Sequence, residues 1–101
     1  MKSVIIHSEA INELDAAISY YEEQKVDLGL DFLAEVEQAL DKIQKNPNLG
    51  AIYKVTGLRR YVIQRFPFLV FYAEFESFLW VVAIAYGKRK PDYWKKRQLE
   101  G

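Results

Sequence analysis

The chain has 101 residues with 14 Lys+Arg and 14 Asp+Glu, a formal net charge of zero, and half of its residues are hydrophobic. That length bounds it to one domain with enough apolar material for a compact core. With no cysteine, a disulfide framework and a thiolate metal site are both excluded; no apolar run nears the roughly 20 residues that span a bilayer, and the opening MKSVIIHSE is not expected to act as a secretory signal.

The zero balance hides a division. Residues 1–50 carry 4 basic and 10 acidic residues, a net of −6, whereas residues 51–101 carry 10 basic and 4 acidic, a net of +6. A basic half implies an anionic partner, either nucleic acid or an acidic protein.

Lys2–His7 is a β-branched run and predicts a first strand. Ser8 is a suitable N-cap, and Glu9 complements the dipole of the helix that follows. Ile11, Leu14, Ile18 and Tyr21, with Ala10 and Ala17, recur at helical spacing, while Glu13, Asp15, Glu22 and Glu23 are read as the opposite face. The helix should end near Gln24. A second begins around Leu30 or Asp31, with Leu33, Val36, Leu40 and Ile43 as its stripe and Phe32 and Ala39 widening it. Asn46-Pro47 ends that helix, because a residue before proline is pushed out of the α region. The short link makes the pair an antiparallel hairpin.

Residues 48–57 contain two glycines and read as a loop, with a short extended piece at 52–55. Three strands follow, Leu58–Gln64, Phe68–Phe75 and Phe78–Tyr86, separated by breaks short enough for an antiparallel meander. Alternation puts Leu58, Arg60, Val62 and Gln64 on one face and Arg59, Tyr61, Ile63 and Arg65 on the other. The last two strands are apolar on both faces, which requires cover on both sides. The expected architecture is a two-layer α+β domain, β-α-α-β-β-β, with the helical hairpin on one face of a mainly antiparallel sheet and a short C-terminal helix or tail. A partner is expected to help cover the second face; the competing reading folds Tyr93 and Trp94 back over it.

Three basic groups are candidates for contact with that partner. Arg59 and Arg60 point to opposite faces, and with Arg65 one of them can grip phosphate or carboxylate bidentately. Lys88, Arg89 and Lys90 follow the last strand as three consecutive cations suited to a phosphate backbone or an acidic protein. In Asp92–Arg97 aromatics interleave with cations; base stacking is one use, and docking of Trp94 onto the sheet is favoured over it. These features together predict a bare cationic flank. His7 reads as a junction residue rather than a general base. No Ser-His-Asp set, metal cluster or glycine-rich phosphate loop is visible, so any enzyme chemistry would fall to Lys, Arg, Tyr or a carboxylate. Tyr and Lys titrate near 10 unless shifted and so make poor bases.

The order and spacing of several segments resemble the RelE/ParE superfamily of small bacterial toxins from type II toxin–antitoxin modules, closest to the ParE (plasmid stabilisation protein) branch. The matching residues are Glu13-Leu14 to Tyr20-Tyr21-Glu22, Gly29-Leu30 to Phe32-Leu33, Asn46-Pro47, Gly50 to Tyr53, Leu58-Arg59-Arg60-Tyr61 to Arg65-Phe66-Pro67-Phe68, Phe71-Tyr72, and Lys88-Arg89-Lys90-Pro91 to Tyr93-Trp94. The resemblance spans nearly the whole chain. It implies a cytoplasmic toxin that binds and inhibits DNA gyrase, causing growth arrest, with no cofactor or metal and no membrane contact. It also implies a cognate antitoxin whose disordered tail folds onto the toxin in a hetero-oligomer, with Tyr61, Phe71 and Trp94 as contacts. RelE-like members instead cleave mRNA on the ribosome. For that alternative the phosphate ligands would be Arg59 or Arg60 with Lys88, and Tyr86 or Tyr93 would transfer protons or stack. Leu69 and Tyr86 stand where nuclease relatives carry an arginine and a histidine, which disfavours cleavage. A relative that binds an antitoxin but has lost toxicity is the third reading.

Overall fold

The structure is a computed structural model that describes residues 2–53, 57–88, 93, 94 and 97. Strand β1 is Ser3–Ile6, helix α1 is Ser8–Gln24 and helix α2 is Leu28–Lys45; strands β2 (Ala51–Ile52), β3 (Leu58–Val62), β4 (Phe68–Glu74) and β5 (Phe78–Tyr86) follow. Apart from the two-residue β2, the order is the expected β-α-α-β-β-β, with two helices packed against a five-stranded mixed sheet.

The sheet order is β1-β5-β4-β3-β2. β3, β4 and β5 form the antiparallel meander, and β1 pairs in parallel with the first part of β5, Ser3 opposite Phe78 and Ile6 opposite Val81. Phe71 pairs with Ala83 and Tyr72 with Val81, so Val82 is an extra residue, a β-bulge in the middle of β5.

Boundaries shift for local reasons. His7 caps α1 in place of Ser8: its Nδ1 accepts from the Glu9 amide at 3.0 Å. This places the single histidine at the strand–helix junction, buried. α2 begins at Leu28, two to three residues early, because Glu22 reaches over from α1. Its Oε1 accepts from Gly29 N at 3.1 Å and its Oε2 from Asp27 N at 3.0 Å, satisfying free donors of the new helix. Gly29 is inside α2, where a Cβ would lie 2.5 Å from the Ile18 carbonyl oxygen. The extended piece before β3 is 51–52; residues 54–56 of the predicted span lie outside the described residues.

The helices cover one face. Phe32, Val36, Ile43, Ile63, Tyr72, Leu79 and Ile84 form the fully buried centre of that layer with Ala10 and Ala17. Small residues in α1 let it approach β5 closely. At the wide end, Tyr21, Phe32, Phe66 and Phe68 make a mostly edge-to-face cluster, with Tyr21 and Phe32 tilted, and centroids 4.9–6.1 Å apart. A second cluster occupies the opposite face: Tyr53, Phe71, Val82, Ala83, Ala85 and Trp94.

Candidate functional site

The second cluster decides how much of the sheet is free. Trp94 is 3% exposed and packs on Phe71 at a centroid distance of 4.8 Å, with Tyr53 at 5.0 Å from Phe71. Trp94 of the chain itself therefore covers the centre of the second face, in line with the competing reading. Phe71 and Trp94, expected as antitoxin contacts, are buried against each other in the isolated chain. Tyr61 is on the other face, half-buried against the helix-side core. The indole N–H groups of Trp80 and Trp94 are buried with no hydrogen-bond acceptor among the described residues.

The arginines are more engaged than their charge suggests. Alternation holds, with Arg59 and Tyr61 on the helix side and Arg60 on the other. Arg59 Nη1 donates to the Gly50 carbonyl at 2.8 Å and lies 3.4 Å from that of Asn48, closing the loop after α2. Tyr72 pins the same loop from below: its hydroxyl accepts from Gly50 N at 2.8 Å and donates to Pro47 O at 2.8 Å. Burial pushes the Tyr72 phenol up from its ordinary value, and the Gly50 amide and Arg59 oppose this. Arg65 adopts φ 69 in the β3–β4 turn and points to α2, 3.3 Å from Glu35 and 3.9 Å from Asp31. Arg60 is exposed beside the Tyr53 ring, 5.8 Å from its centroid, and Lys88 is exposed. The expected cationic flank is thus reduced, among the described residues, to Arg60 and Lys88. Folding draws Arg59 and Arg65 to internal acceptors. Arg89 and Lys90 lie outside the described residues.

The five residues named for ribonuclease chemistry do not converge. Arg59 is opposite Tyr72, and Tyr86 is opposite Phe68, four residues along the same strand; at ~3.3 Å per residue the two rows are ~13 Å apart. Arg60 faces away from both. The Tyr93 hydroxyl is bound to Glu13 Oε2.

Among the described residues a groove of about 670 Å³ opens on the helix side, between α1 and the far end of β4–β5. Tyr20, Tyr21, Tyr86 and Tyr93 line it with Phe68 and Ile84, and Glu13 closes one end. Tyr20 and Tyr86 are 58% and 42% exposed, so the groove presents aromatic surface to solvent. Burial, with the neighbouring Tyr20 and Tyr86, pushes the Tyr21 phenol up.

Glu13, expected on the solvent face, instead joins several polar groups among the described residues. Arg97 meets it with two parallel bonds, Nη1 to Oε1 at 2.9 Å and Nη2 to Oε2 at 3.0 Å. Glu13 Oε1 also accepts from Ile84 N at 3.0 Å, and Arg97 Nη1 donates to Val82 O at 2.8 Å. Burial works to lower the Arg97 guanidinium, but the Glu13 bond and charge outweigh it and hold it raised. A sequence signal existed: Glu13 is three residues after Ala10 and four before Ala17, both buried, so it borders the apolar stripe.

Among the described residues no group of His, Asp and Glu is placed to hold a metal ion, and no helix is long and apolar enough to cross a membrane.

The sequence matches a family model described as ParE toxin of type II toxin–antitoxin system, parDE, over residues 4–91. No curated protein matches it. Among solved structures it is similar to one described as the chromosomal ParDE TA system from P. aeruginosa. The TM-score is 0.74 at 21% identity, covering 85% of this chain and 96% of that one. At that identity the likeness concerns the fold.

Proposed function

The chain belongs to the ParE toxin family of type II toxin–antitoxin systems, and on that premise we propose that it acts in the cytoplasm by binding and inhibiting DNA gyrase and is neutralised by a cognate antitoxin. The observation that carries this reading is the family match over residues 4–91, which runs from β1 through β5. The geometry supports the inhibitor over the ribonuclease. Arg59 is committed to backbone carbonyls, Arg60 faces the opposite side of the sheet from Tyr86, and Tyr93 is committed to Glu13.

Arg60 and Lys88, continued by Arg89 and Lys90, are the proposed gyrase contacts, since Arg60 and Lys88 are exposed. The tyrosine-lined groove is the proposed seat of the antitoxin's tail, which would fold as it lays apolar side chains along Tyr20 and Tyr86. Toxin and antitoxin together would form the hetero-oligomer.

The purified protein should stop gyrase supercoiling at near-stoichiometric amounts, and Arg60→Glu should weaken that inhibition while melting like the wild type. Unaffected supercoiling accompanied by codon-specific mRNA cleavage on ribosomes would overturn the reading. Expression without growth arrest would identify a relative that has lost its toxicity.

A further inference from the structure

β5 is nine residues long, but β1 lies beside only Phe78 to Val81. From Val82 to Tyr86, no strand among the described residues pairs with that side. A bare strand edge is a template for another strand. Here two side chains occupy it: Arg97 Nη1 holds Val82 O, and Glu13 Oε1 holds Ile84 N. The same two side chains grip each other, with side-chain exposures of 14% for Glu13 and 13% for Arg97. Trp94, three residues before Arg97 in sequence, is buried on the second face, while Arg97 holds the edge itself.

We propose that this clasp shuts a self-complementary edge, and that opening it lets Val82–Tyr86 pair antiparallel with the same segment of a second copy. In a two-fold pair centred on Ile84, each Ile84 N meets the other copy's Ile84 O, and each Val82 O meets the other's Tyr86 N. The clasp occupies Val82 O and Ile84 N, two of the groups that such a ladder uses. A second copy suits the edge because β5 carries no charged side chain from Phe78 to Tyr86, so no like charges meet when it faces itself. Its β-branched and aromatic composition favours pairing. This inference is independent of the gyrase reading, since it concerns the chain alone.

The test is the mass in solution across a concentration series of the full chain, by light scattering or sedimentation. Wild type should remain a monomer. Arg97→Ala should shift to the dimer with rising concentration, and the Tyr86 amide should become protected from hydrogen exchange. Adding Tyr86→Pro, which removes the outward donor at the strand's end, should return Arg97→Ala to the monomer. If Arg97→Ala does not fold, Glu13→Gln gives the decisive reading: it keeps an acceptor for Ile84 N while losing the ion pair, and should show a smaller shift to dimer. A folded, unclasped variant that stays monomeric overturns the proposal, as does a dimer that persists with Tyr86→Pro.

Discussion

Tyr72→Phe isolates the pin under the loop after α2. The ring sits in the centre of the helix-side core with no solvent exposure, so phenylalanine fills nearly the same space and leaves no significant cavity. What is lost is one oxygen with two bonds of 2.8 Å, to Gly50 N and Pro47 O. Leaving a buried donor or acceptor unsatisfied costs ~1–3 kcal/mol each. The carbonyl retains other ways to be met, so the amide of buried Gly50 should dominate, and we expect a loss of ~2–3 kcal/mol. With an m-value of ~1–3 kcal/mol/M for a small protein, the urea midpoint should fall by ~0.7–3 M with m unchanged. The two tryptophans, both in or beside the second cluster, report the transition by fluorescence. Hydrogen exchange should accelerate at Gly50 before other core amides. A loss below ~0.5 kcal/mol, or unchanged exchange at Gly50, would refute the claim that the hydroxyl fixes this loop.

Gly29→Ala should destabilise by ~1–3 kcal/mol despite alanine's better helix propensity, because the Cβ would sit 2.5 Å from a backbone oxygen of α1; a thermal melt showing stabilisation would refute the contact. At Arg65 the left-handed φ of 69 favours glycine, whereas the ion pairs to Glu35 and Asp31 involve a guanidinium more than half exposed and add less than ~1 kcal/mol. Arg65→Gly should therefore exceed Arg65→Ala in urea stability by ~1 kcal/mol. The raised phenols of Tyr21 and Tyr72 make stability depend on alkaline pH. Their contribution is complete below the unfolded value near 10 and is lost as pH rises from there through the folded values. Stability should therefore begin to fall near pH 10, and Tyr72→Phe should show a shallower fall.

The helices and the meander were legible because their signals are local. The 3–4 spacing of Leu33, Val36, Leu40 and Ile43 and the doubly apolar 68–86 segment dictate element type regardless of neighbours. Boundaries failed where a distant side chain acts, as at Leu28, which Glu22 draws into α2. The candidate site was less legible. A run of arginines states charge but not what each guanidinium will find, and here backbone carbonyls and α2 carboxylates claimed Arg59 and Arg65. Glu13 and Arg97 are 84 residues apart, and no local pattern links them. The same clasp affects truncation. Removing residues from Lys88 onward would strip Trp94 from Phe71 as well as the cations, so loss of toxicity in such a chain would not separate target contact from stability; Arg60→Glu does.

The parallel pairing of Ser3 with Phe78 has a bearing on how the molecule comes into being. During synthesis the first strand emerges early and finds no neighbour until its mate, 75 positions later, has been made. β4 likewise lacks one of its two flanks until that moment, so the sheet closes late and through a long-range encounter, which is inherently slow. A ribosome that stops short of residue 78 would release a helical hairpin and an unfinished ribbon. A chain stopped there would leave the apolar flanks of β1 and β4 without the strand that covers them.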